Sequence, residues 1–371
     1  MRLDHISILN FKNIAEAEID FCEGVNCLVG ANGMGKSNML EAVYYLSMTR
    51  SFLRLPDTEV MRHGSQAMMV RGDYTTDSGR NEQVSIGYSP ERRKVLRRGG
   101  KEYRRMSAHI GTLPVVLVSP QDHFLITGSP EERRRLMDTV ISQADAAYLS
   151  QLIRYNKALQ QRNSLLRQGL SDPLLTESLE IQMEDAATAI FKARQNLVEA
   201  LREPFCRYYA AIAGAGEQPG MLYESVMAHK TLRKAFDDSR RRDSALGHTS
   251  EGIHRDDLAL QLDRHDLRRL GSQGQMKTYT IALRMAVFEY LHSQCGISPL
   301  LLLDDIFDKL DAARVQNIMQ VVSDSDVFGQ IFITDTGREH IDTILDNVPG
   351  QHLLLGVESG RYTILKSSRR P

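Results

Sequence analysis

The segment Gly30-Ala31-Asn32-Gly33-Met34-Gly35-Lys36-Ser37 has the G-x-x-x-x-G-K-S spacing of a phosphate loop. It follows Val25–Val29, a mostly apolar run flanked by glycines, which is typical of a buried strand. Residues 37–46 then have the spacing of a helix. In such an arrangement the backbone N–H groups of the loop and the positive end of the helix converge on phosphate oxygens. The segment therefore predicts an α/β fold with a phosphate-binding edge.

The residues of this loop have different expected roles. Gly30 and Gly35 permit backbone geometry that a Cβ atom would obstruct. Lys36 is expected to reach the β- and γ-phosphates of a nucleotide and to assist catalysis there, and Ser37 to ligate Mg²⁺. The other residues expected to line the phosphates are Ala31, Asn32, Gly33 and Met34. The alternative is a glycine-rich turn that binds nothing.

A second Mg²⁺ ligand is expected at the end of another buried strand. The apolar run Leu300-Leu301-Leu302-Leu303 ends in Asp304-Asp305. Asp304 fits the metal ligand, and Asp305 is placed to polarise or accept a proton from the attacking water. The alternative is a pair of acids that cap the next element.

The segment Gly271-Ser272-Gln273-Gly274-Gln275 precedes a predicted helix and lies about thirty residues before Asp304. Its N–H groups and the Ser272 hydroxyl are placed to hold a γ-phosphate at the start of that helix. A phosphate loop first, and this segment shortly before the acidic strand, is the order found in ABC-type ATPases.

Gln121 follows the predicted strand at residues 113–118. Its amide is a candidate contact for Mg²⁺ or the attacking water, and the alternative is an ordinary loop residue.

The bulk composition is that of a soluble protein. The chain has 371 residues and a net charge of −1, so any DNA-binding surface must be local. Its four cysteines lack metal-ligand spacing, and no run approaches the roughly 18 apolar residues of a membrane helix. These features predict a reduced, cytoplasmic location without a membrane partner.

Six segments in chain order resemble one known family. They are Ile8-Leu9-Asn10-Phe11-Lys12-Asn13, Gly30 to Asn38, Gly252-Ile253-His254-Arg255-Asp256-Asp257-Leu258, Gly271 to Gln275, Leu301 to Asp311, and Ile333-Thr334-Asp335-Thr336. The chain resembles the RecF family of bacterial recombination-repair ATPases, which is related to SMC-type proteins.

This resemblance implies a fold, and the sequence pattern predicts a division of the chain. The fold is an α/β ABC/SMC-like ATPase head, a mixed sheet plus helices, with an inserted helical lobe. The change of pattern at Pro130, a good helix start, predicts an antiparallel helical lobe at residues 130–213, with an ordinary helical subdomain as the alternative. Residues 1–129 would then form the N-terminal part of the head and 214–371 its C-terminal part. Separately, the polar residues 237–250 predict an exposed loop.

The resemblance also implies a weak ATPase that uses ATP and Mg²⁺ and dimerises on ATP. Lys12, Asn13 and Asn38 would belong to the nucleotide site. Ser272, Gln273, Gly274 and Gln275 would act on the nucleotide of the partner subunit, and Asp311 would communicate across the dimer.

Two residues depart from the family pattern, and two more distinguish the chain from transporters. Lys12 replaces an arginine common in the family, and Ile253 a proline. Thr334 and Asp335 occupy the place where transporters carry a switch histidine, which favours the DNA-repair branch and slow hydrolysis.

The implied partners are DNA and repair proteins. By resemblance, the protein would bind gapped DNA or single-strand/duplex junctions and help RecO- and RecR-like partners to load recombinase. A basic segment predicts phosphate contacts, with a solvated hairpin as the alternative. Its residues are Arg92, Arg93, Lys94, Arg97, Arg98, Lys101, Arg104 and Arg105. A weaker candidate is Arg240-Arg241-Arg242.

Two other classes share the phosphate loop. A transporter ATPase subunit would need a membrane partner. A phosphate-loop GTPase switch or small-molecule kinase would not explain residues 272–275.

Overall fold

The computed structural model of this chain describes residues 1–169, 172–214, 216–307, 310–323, 328–338, 341–342, 345 and 350–368. They divide into two units. Unit 1 contains Met1–Asp122, Ala211–Gly214 and Thr280–Pro371, and unit 2 contains His123–Ala210 and Ala215–Tyr279.

The strands in chain order are β1 (Arg2–Phe11), β2 (Ile14–Asp20), β3 (Val25–Val29), β4 (Met68–Thr75), β5 (Asn81–Ser89), β6 (Arg93–Arg98), β7 (Lys101–Glu102), β8 (Val115–Val118), β9 (Pro219–Glu224), β10 (Asp257–Leu262), β11 (His265–Asp266), β12 (Leu300–Asp304), β13 (Ile331–Asp335), β14 (His352–Glu358) and β15 (Arg361–Ser367). The helices are α1 (Lys36–Met48), α2 (Asp57–Val60), α3 (His123–Thr127), α4 (Pro130–Ala144), α5 (Ala146–Gln168), α6 (Pro173–Ala213), α7 (Leu232–Leu246), α8 (Leu267–Leu270), α9 (Gln273–Cys295) and α10 (Ala312–Ser323).

A mostly parallel sheet in unit 1 carries the motifs of the predicted site. Its order is β15-β14-β3-β13-β12-β8, and only the pair β14–β15 is antiparallel. Every residue of β3, β8, β12 and β13 is buried, which explains why these strands read as continuous apolar runs. Because parallel strands end at one edge, the phosphate loop after β3 and the acids after β12 lie at the same edge.

A second sheet in unit 1 is antiparallel, with the order β2-β1-β4-β5-β6-β7. Burial alternates along β4, as expected when one face covers a core and the other faces water. The buried side chain of Gln330 connects the two sheets. Its amide accepts from Leu3 N at 2.7 Å and donates to Leu3 O at 2.8 Å and Cys22 O at 2.7 Å.

Unit 2 is built around helices and a short sheet of order β11-β10-β9. Ion pairs Arg154–Asp185 and Arg162–Glu180 join α5 to α6. Residue numbers rise along α5 as they fall along α6, so the two helices run antiparallel. The inserted helical lobe expected from the sequence is therefore present, and Gly169 ends α5 in a left-handed conformation.

The prediction of an exposed loop at residues 237–250 is wrong, because the helix α7 extends through Leu246. The Thr231 hydroxyl caps this helix at Lys234 N, and one face is buried through Phe236 and Asp243. Asp243 accepts from the buried Arg162 at 2.8 Å. The polar composition of the segment hid a helix whose stability comes from tertiary contacts.

The unit boundaries also differ from those expected for the lobe, residues 130–213. Unit 2 begins at His123, and it includes Ala215–Tyr279, which the sequence placed in the head. The strands β9 and β10 and the helix α7 pack with the helical insertion, and this long-range packing leaves no local sequence signal. Among the described helices, none combines the length and apolar character needed to cross a bilayer.

Candidate nucleotide-binding site

The phosphate loop connects β3 to α1 through backbone conformations that require glycine. Gly33 and Gly35 have φ values of +79° and +113°. A Cβ atom on Gly30 would lie 2.3 Å from the carbonyl oxygen of Val357 on β14. The spacing of glycines in the motif is thus explained by one close approach and two left-handed turns.

Lys36 is buried and closes over its own loop. Its Nζ donates to Gly30 O at 2.6 Å and Ala31 O at 2.9 Å. Burial lowers the pKa of Lys36, and the charges of Asp305 and Asp304 oppose that shift. The ammonium is therefore held at the loop by carbonyl oxygens and nearby carboxylates, within the segment that would surround a phosphate.

Ser37 and Asp304 meet as the sequence predicted, although 267 positions separate them. Ser37 Oγ donates to Asp304 Oδ1 at 2.7 Å, and Thr334 Oγ1 donates to the same oxygen at 2.7 Å. Burial raises the pKa of Asp304, whereas these hydroxyl donors and Lys36 favour its ionised form. The result is a buried carboxylate supported by two hydroxyl groups.

These oxygens fit a Mg²⁺ ion. Two adjacent ligands of an octahedral Mg²⁺ lie about 2.9 Å apart, given metal–oxygen distances of about 2.0–2.1 Å. The Ser37–Asp304 separation of 2.7 Å is close to that value. In the described part of the chain, no group of three or more His, Cys, Asp or Glu side chains could hold a metal by itself. A Mg²⁺ ion carried with nucleotide phosphates needs only one or two protein ligands.

Asp305 lies in a tight turn after β12. Its φ is +49°, a left-handed conformation that is uncommon for residues other than glycine. Its N–H donates to Thr334 Oγ1 at 3.0 Å and to Thr334 O at 3.2 Å. Thr334 therefore contacts both Asp304 and Asp305. The sequence did not indicate this role, because Thr334 stood out there only as the residue at the place of the transporter histidine.

Asn13 and Asn38 support the phosphate loop through hydrogen bonds. Asn38 Nδ2 donates to Asn13 Oδ1 at 2.7 Å, and Asn13 Nδ2 donates to Gly33 O at 3.5 Å. Lys12 has a φ of +50° and forms an ion pair with the buried Glu41 of α1. The structure thus places all three residues next to the loop, with the Lys12 ammonium bound to Glu41.

Gln121 is exposed on a 3-10 turn, Pro120–Asp122, directly after β8. The next residue fixes this turn. Asp122 is buried, and it accepts from Arg284 at 2.6 Å and 3.1 Å and from Ser119 N at 3.2 Å. The Asp122–Arg284 ion pair is a support for the Gln121 turn that the sequence did not reveal, because its partners are 162 positions apart.

The segment Gly271–Gln275 begins α9 in unit 2 with a reciprocal cap. Ser272 Oγ accepts from Gln275 N at 3.2 Å, and Gln275 Oε1 accepts from Ser272 N at 2.8 Å. The Gln275 amide also donates to Glu217 at 2.7 Å. The predicted position at a helix start is confirmed, and the two polar side chains stabilise that start.

Asp311 caps α10, where its carboxylate accepts from Arg314 N at 2.9 Å. Asp308 and Lys309, which belong to the segment that resembles the family, lie outside the described residues.

The basic segment lies on β6, β7 and the residues around them, and its side chains differ in availability. Lys94 is half-buried and pairs with Asp57 at 2.7 Å, and Arg98 pairs with Glu82. The other six are exposed: Arg92, Arg93, Arg97, Lys101, Arg104 and Arg105. Lys94 and Arg98 are therefore engaged with half-buried carboxylates, whereas Arg97 has only a long, exposed pair with Glu102 at 3.9 Å.

The segment Gly252–Leu258 forms a buried network in unit 2. His254 lies between Tyr155 Oη at 2.8 Å and Thr249 O at 3.1 Å, and burial lowers its pKa to about 4. Asp256 accepts from Arg194 at 2.9 Å. This network forms one wall of a cleft of about 700 Å³. The histidine is therefore a neutral residue that supports the packing of unit 2.

Three features together define the ATP-binding head of an SMC-type protein: the parallel sheet, the glycine-rich phosphate loop and the contact between Ser37 and Asp304. The model of the RecF/RecN/SMC N-terminal domain matches residues 2–350. The chain therefore belongs to the RecF/RecN/SMC family, and its curated relatives place it in the RecF group of DNA replication and repair proteins.

Relatives match almost the whole chain. The DNA replication and repair protein RecF of Phocaeicola vulgatus is 46% identical over 98% of this chain and 98% of its own length. RecF of Parabacteroides distasonis is 45% identical over 97% and 98%, respectively.

Solved structures agree with the fold. A structure of the recombination mediator protein RecF with ATP, from the RecFOR pathway, has a TM-score of 0.88 and 29% identity, and covers 98% of this chain and 97% of its own. An Smc head bound to the C-winged helix domain of ScpA has a TM-score of 0.62 at 15% identity, covering 100% and 98% of the chains, and shows the shared fold alone.

Proposed function

We propose that this protein is an ATP-dependent DNA-binding clamp of recombinational repair and replication restart. The observation that carries the proposal is the contact between Ser37 and Asp304 at 2.7 Å beside the buried Lys36. It joins the two halves of a nucleotide–Mg²⁺ site in one unit. The family's ATP-bound structures and its role in repair support the same assignment.

The proposed chemistry is slow hydrolysis of ATP to ADP and phosphate. Lys36 would bind the β- and γ-phosphates, and Ser37 and Asp304 would hold Mg²⁺. Asp305, fixed by Thr334, would orient or deprotonate the attacking water, with Gln121 as a further contact. Lys12, Asn13 and Asn38 would support the nucleotide end of the loop.

Dimerisation would complete each site. Residues 272–275 would contact the γ-phosphate held by the partner subunit, and Asp311 would lie at the same interface. The N–H groups at the start of the 23-residue helix α9 suit an anion. ATP can favour a dimer only through contacts that exist in the dimer and are absent from the monomer, so hydrolysis would open the clamp.

The proposed ligand of the clamp is DNA with a gap or a single-strand/duplex junction. The exposed arginines and lysine of the basic segment would contact backbone phosphates without reading sequence. RecO- and RecR-like proteins would then help to load recombinase, in the cytoplasm. Membership of the RecF group sets aside the transporter subunit, the GTPase switch and the kinase.

The proposal is tested by measuring molecular mass in solution with and without ATP, Mg²⁺ and gapped DNA, using the Asp305→Asn variant. We expect a monomer without ATP and a stable dimer that retains gapped DNA with ATP. Lys36→Ala is the matched control, and it should stay monomeric under all conditions. An Asp305→Asn protein that binds ATP but stays monomeric with DNA present would contradict the clamp.

A further inference from the structure

The turn between β14 and β15 holds the outer side of the phosphate loop. Gly360 N donates to Met34 O at 2.7 Å, and the Tyr362 hydroxyl donates to Gly35 O at 3.0 Å. The nearby Ser359 N lies 3.4 Å from the Met34 sulfur. The Met34 carbonyl is therefore held by Gly360, and the Gly35 carbonyl by Tyr362 together with Met39 N of α1, which donates to it at 3.2 Å.

Fixing these carbonyl groups also fixes two N–H groups. In a trans peptide the C=O of one residue and the N–H of the next point to opposite sides of the C–N bond, and the described chain contains no cis peptide. Holding Met34 O therefore aims the N–H of Gly35, and holding Gly35 O aims the N–H of Lys36. In a phosphate loop these N–H groups face the phosphates, so their direction determines how well the loop binds.

The turn between β14 and β15 packs tightly against the backbone of Asn13. Gly360 has a φ of +75°, and a Cβ atom there would lie 2.7 Å from Asn13 O. Burial raises the pKa of Tyr362, so its hydroxyl stays protonated and able to donate at neutral pH. Tyr362 thus acts on the loop through the Gly35 carbonyl.

We infer that Tyr362, together with the turn at Gly360, is a positioning element that aims the phosphate-binding N–H groups of Gly35 and Lys36 at the diphosphate part of a nucleotide. This inference rests on the proposed ATP-binding function and adds to it a residue on the last described strand. The ligand class it serves is a nucleoside di- or triphosphate.

The test is the Tyr362→Phe variant, which removes only the hydroxyl. The Tyr362–Gly35 hydrogen bond lies within the protein, so its loss lowers the affinity for nucleotide by a factor of about five at most. We expect ATP and ADP to bind roughly two- to five-fold more weakly and the KM for ATP to rise accordingly, with kcat unchanged. The melting temperature without nucleotide should fall only slightly, because one internal hydrogen bond is lost while the ring and its packing remain.

Tyr74→Phe is the matched control. Tyr74 is a buried tyrosine of the same unit, and its hydroxyl has no hydrogen-bond partner among the described residues. This variant should bind ATP as the wild type does. A second variant, Gly360→Ala, should weaken ATP binding more than Tyr362→Phe, because its Cβ would push the turn away from Asn13.

The outcomes distinguish the positioning role of Tyr362 from the proposed ATP-binding function. Wild-type affinity in Tyr362→Phe overturns the positioning role, and so does an equal loss in Tyr74→Phe, which would reflect packing in general. Wild-type protein that binds no ATP contradicts the proposed function instead.

Discussion

Lys36 illustrates how one residue carries much of the site. Its ammonium binds two loop carbonyls while two acids lie close enough to influence its pKa. On ATP binding, phosphate oxygens would replace or join the carbonyls as acceptors. The motif alone predicted Lys36, because the lysine at this position of a phosphate loop reaches the β- and γ-phosphates of the nucleotide.

Lys36→Ala should bind ATP at least about 100-fold more weakly, because charge-assisted bonds to two phosphates are removed. Isothermal titration with ATP and Mg²⁺ measures the change. Lys157→Ala, which removes an exposed lysine of α5, is the control and should leave binding unchanged. Normal ATP affinity in Lys36→Ala would refute the assignment of the phosphate loop.

Asp305→Asn should keep ATP binding and hydrolyse ATP about 100-fold more slowly, a typical contribution of a general base. The backbone bonds to Thr334 use the N–H of residue 305, so the substitution leaves the turn intact. Single-turnover hydrolysis of radiolabelled ATP gives the rate. Asp238→Asn, at an exposed aspartate of α7, is the control and should hydrolyse ATP at the wild-type rate. Wild-type turnover in Asp305→Asn would remove this residue from the mechanism.

His254 should make stability depend on pH. Its folded pKa of about 4 lies below the usual 6.5, owing to burial and then to the cations Arg255 and Arg134. The unfolded chain therefore binds a proton that the folded chain rejects, and stability falls as pH decreases from about 6.5 toward 4. Between pH 7 and pH 5 this contribution is about 2 kcal/mol.

The measurement is the difference in unfolding free energy between wild type and His254→Asn at pH 7 and at pH 5. The wild type should lose about 2 kcal/mol more than the variant over this range. His229→Asn removes an exposed histidine of the same unit and should follow the wild type. Parallel pH dependence of wild type and His254→Asn would show that folding does not lower the pKa of His254.

At the scale of elements, strands were predicted far better than the polar helix α7. The buried strands β3, β8 and β12 contain continuous apolar runs, which are typical of a parallel sheet, so their pattern is local. By contrast, α7 depends on Arg162 from another helix and on its Thr231 cap. Strand β9 was missed for a related reason, because its partner β10 begins more than thirty residues later.

The basic segment on and after β6 and β7 leads to a testable prediction about DNA binding. Replacing Arg97, Arg104 and Arg105 by Gln should weaken duplex binding and reduce the salt slope, by up to about 0.9 for each phosphate that is no longer neutralised. Fluorescence anisotropy at several salt concentrations measures the slope. Arg98→Gln is the control, because Arg98 pairs with Glu82, and it should leave the slope unchanged. A triple variant with the wild-type slope would place the DNA surface elsewhere.

For the whole molecule, residues 272–275 should decide assembly. Ser272→Arg should bind ATP yet fail to dimerise, because a bulky cation would occupy the space needed by the partner's nucleotide. Ser272→Asn retains an N-cap for α9 and should still dimerise, which separates loss of the cap from obstruction. Light scattering with ATP on an Asp305→Asn background measures both. A dimeric Ser272→Arg protein would contradict the shared site.

The sequence revealed the parts of the site that have fixed chemistry and missed those that support them. Phosphate loops and acidic strand ends keep their spacing because nucleotide and metal geometry impose it. Thr334, Arg284 and Tyr362 act through contacts with distant residues, and each belongs to a residue type that is common on any strand or helix. Only the folded chain shows that they meet the loop or its neighbours.

The strand order has a consequence for how the protein is made. β3, which leads into the phosphate loop, lies between β13 and β14, and the turn after β14 secures that loop. A ribosome therefore translates the loop early and the strands β13 and β14 about 300 residues later. Prematurely terminated products that lack β14 and β15 would lack the Gly360 and Tyr362 contacts with the loop, and we expect them to bind ATP more weakly than a chain translated through Tyr362.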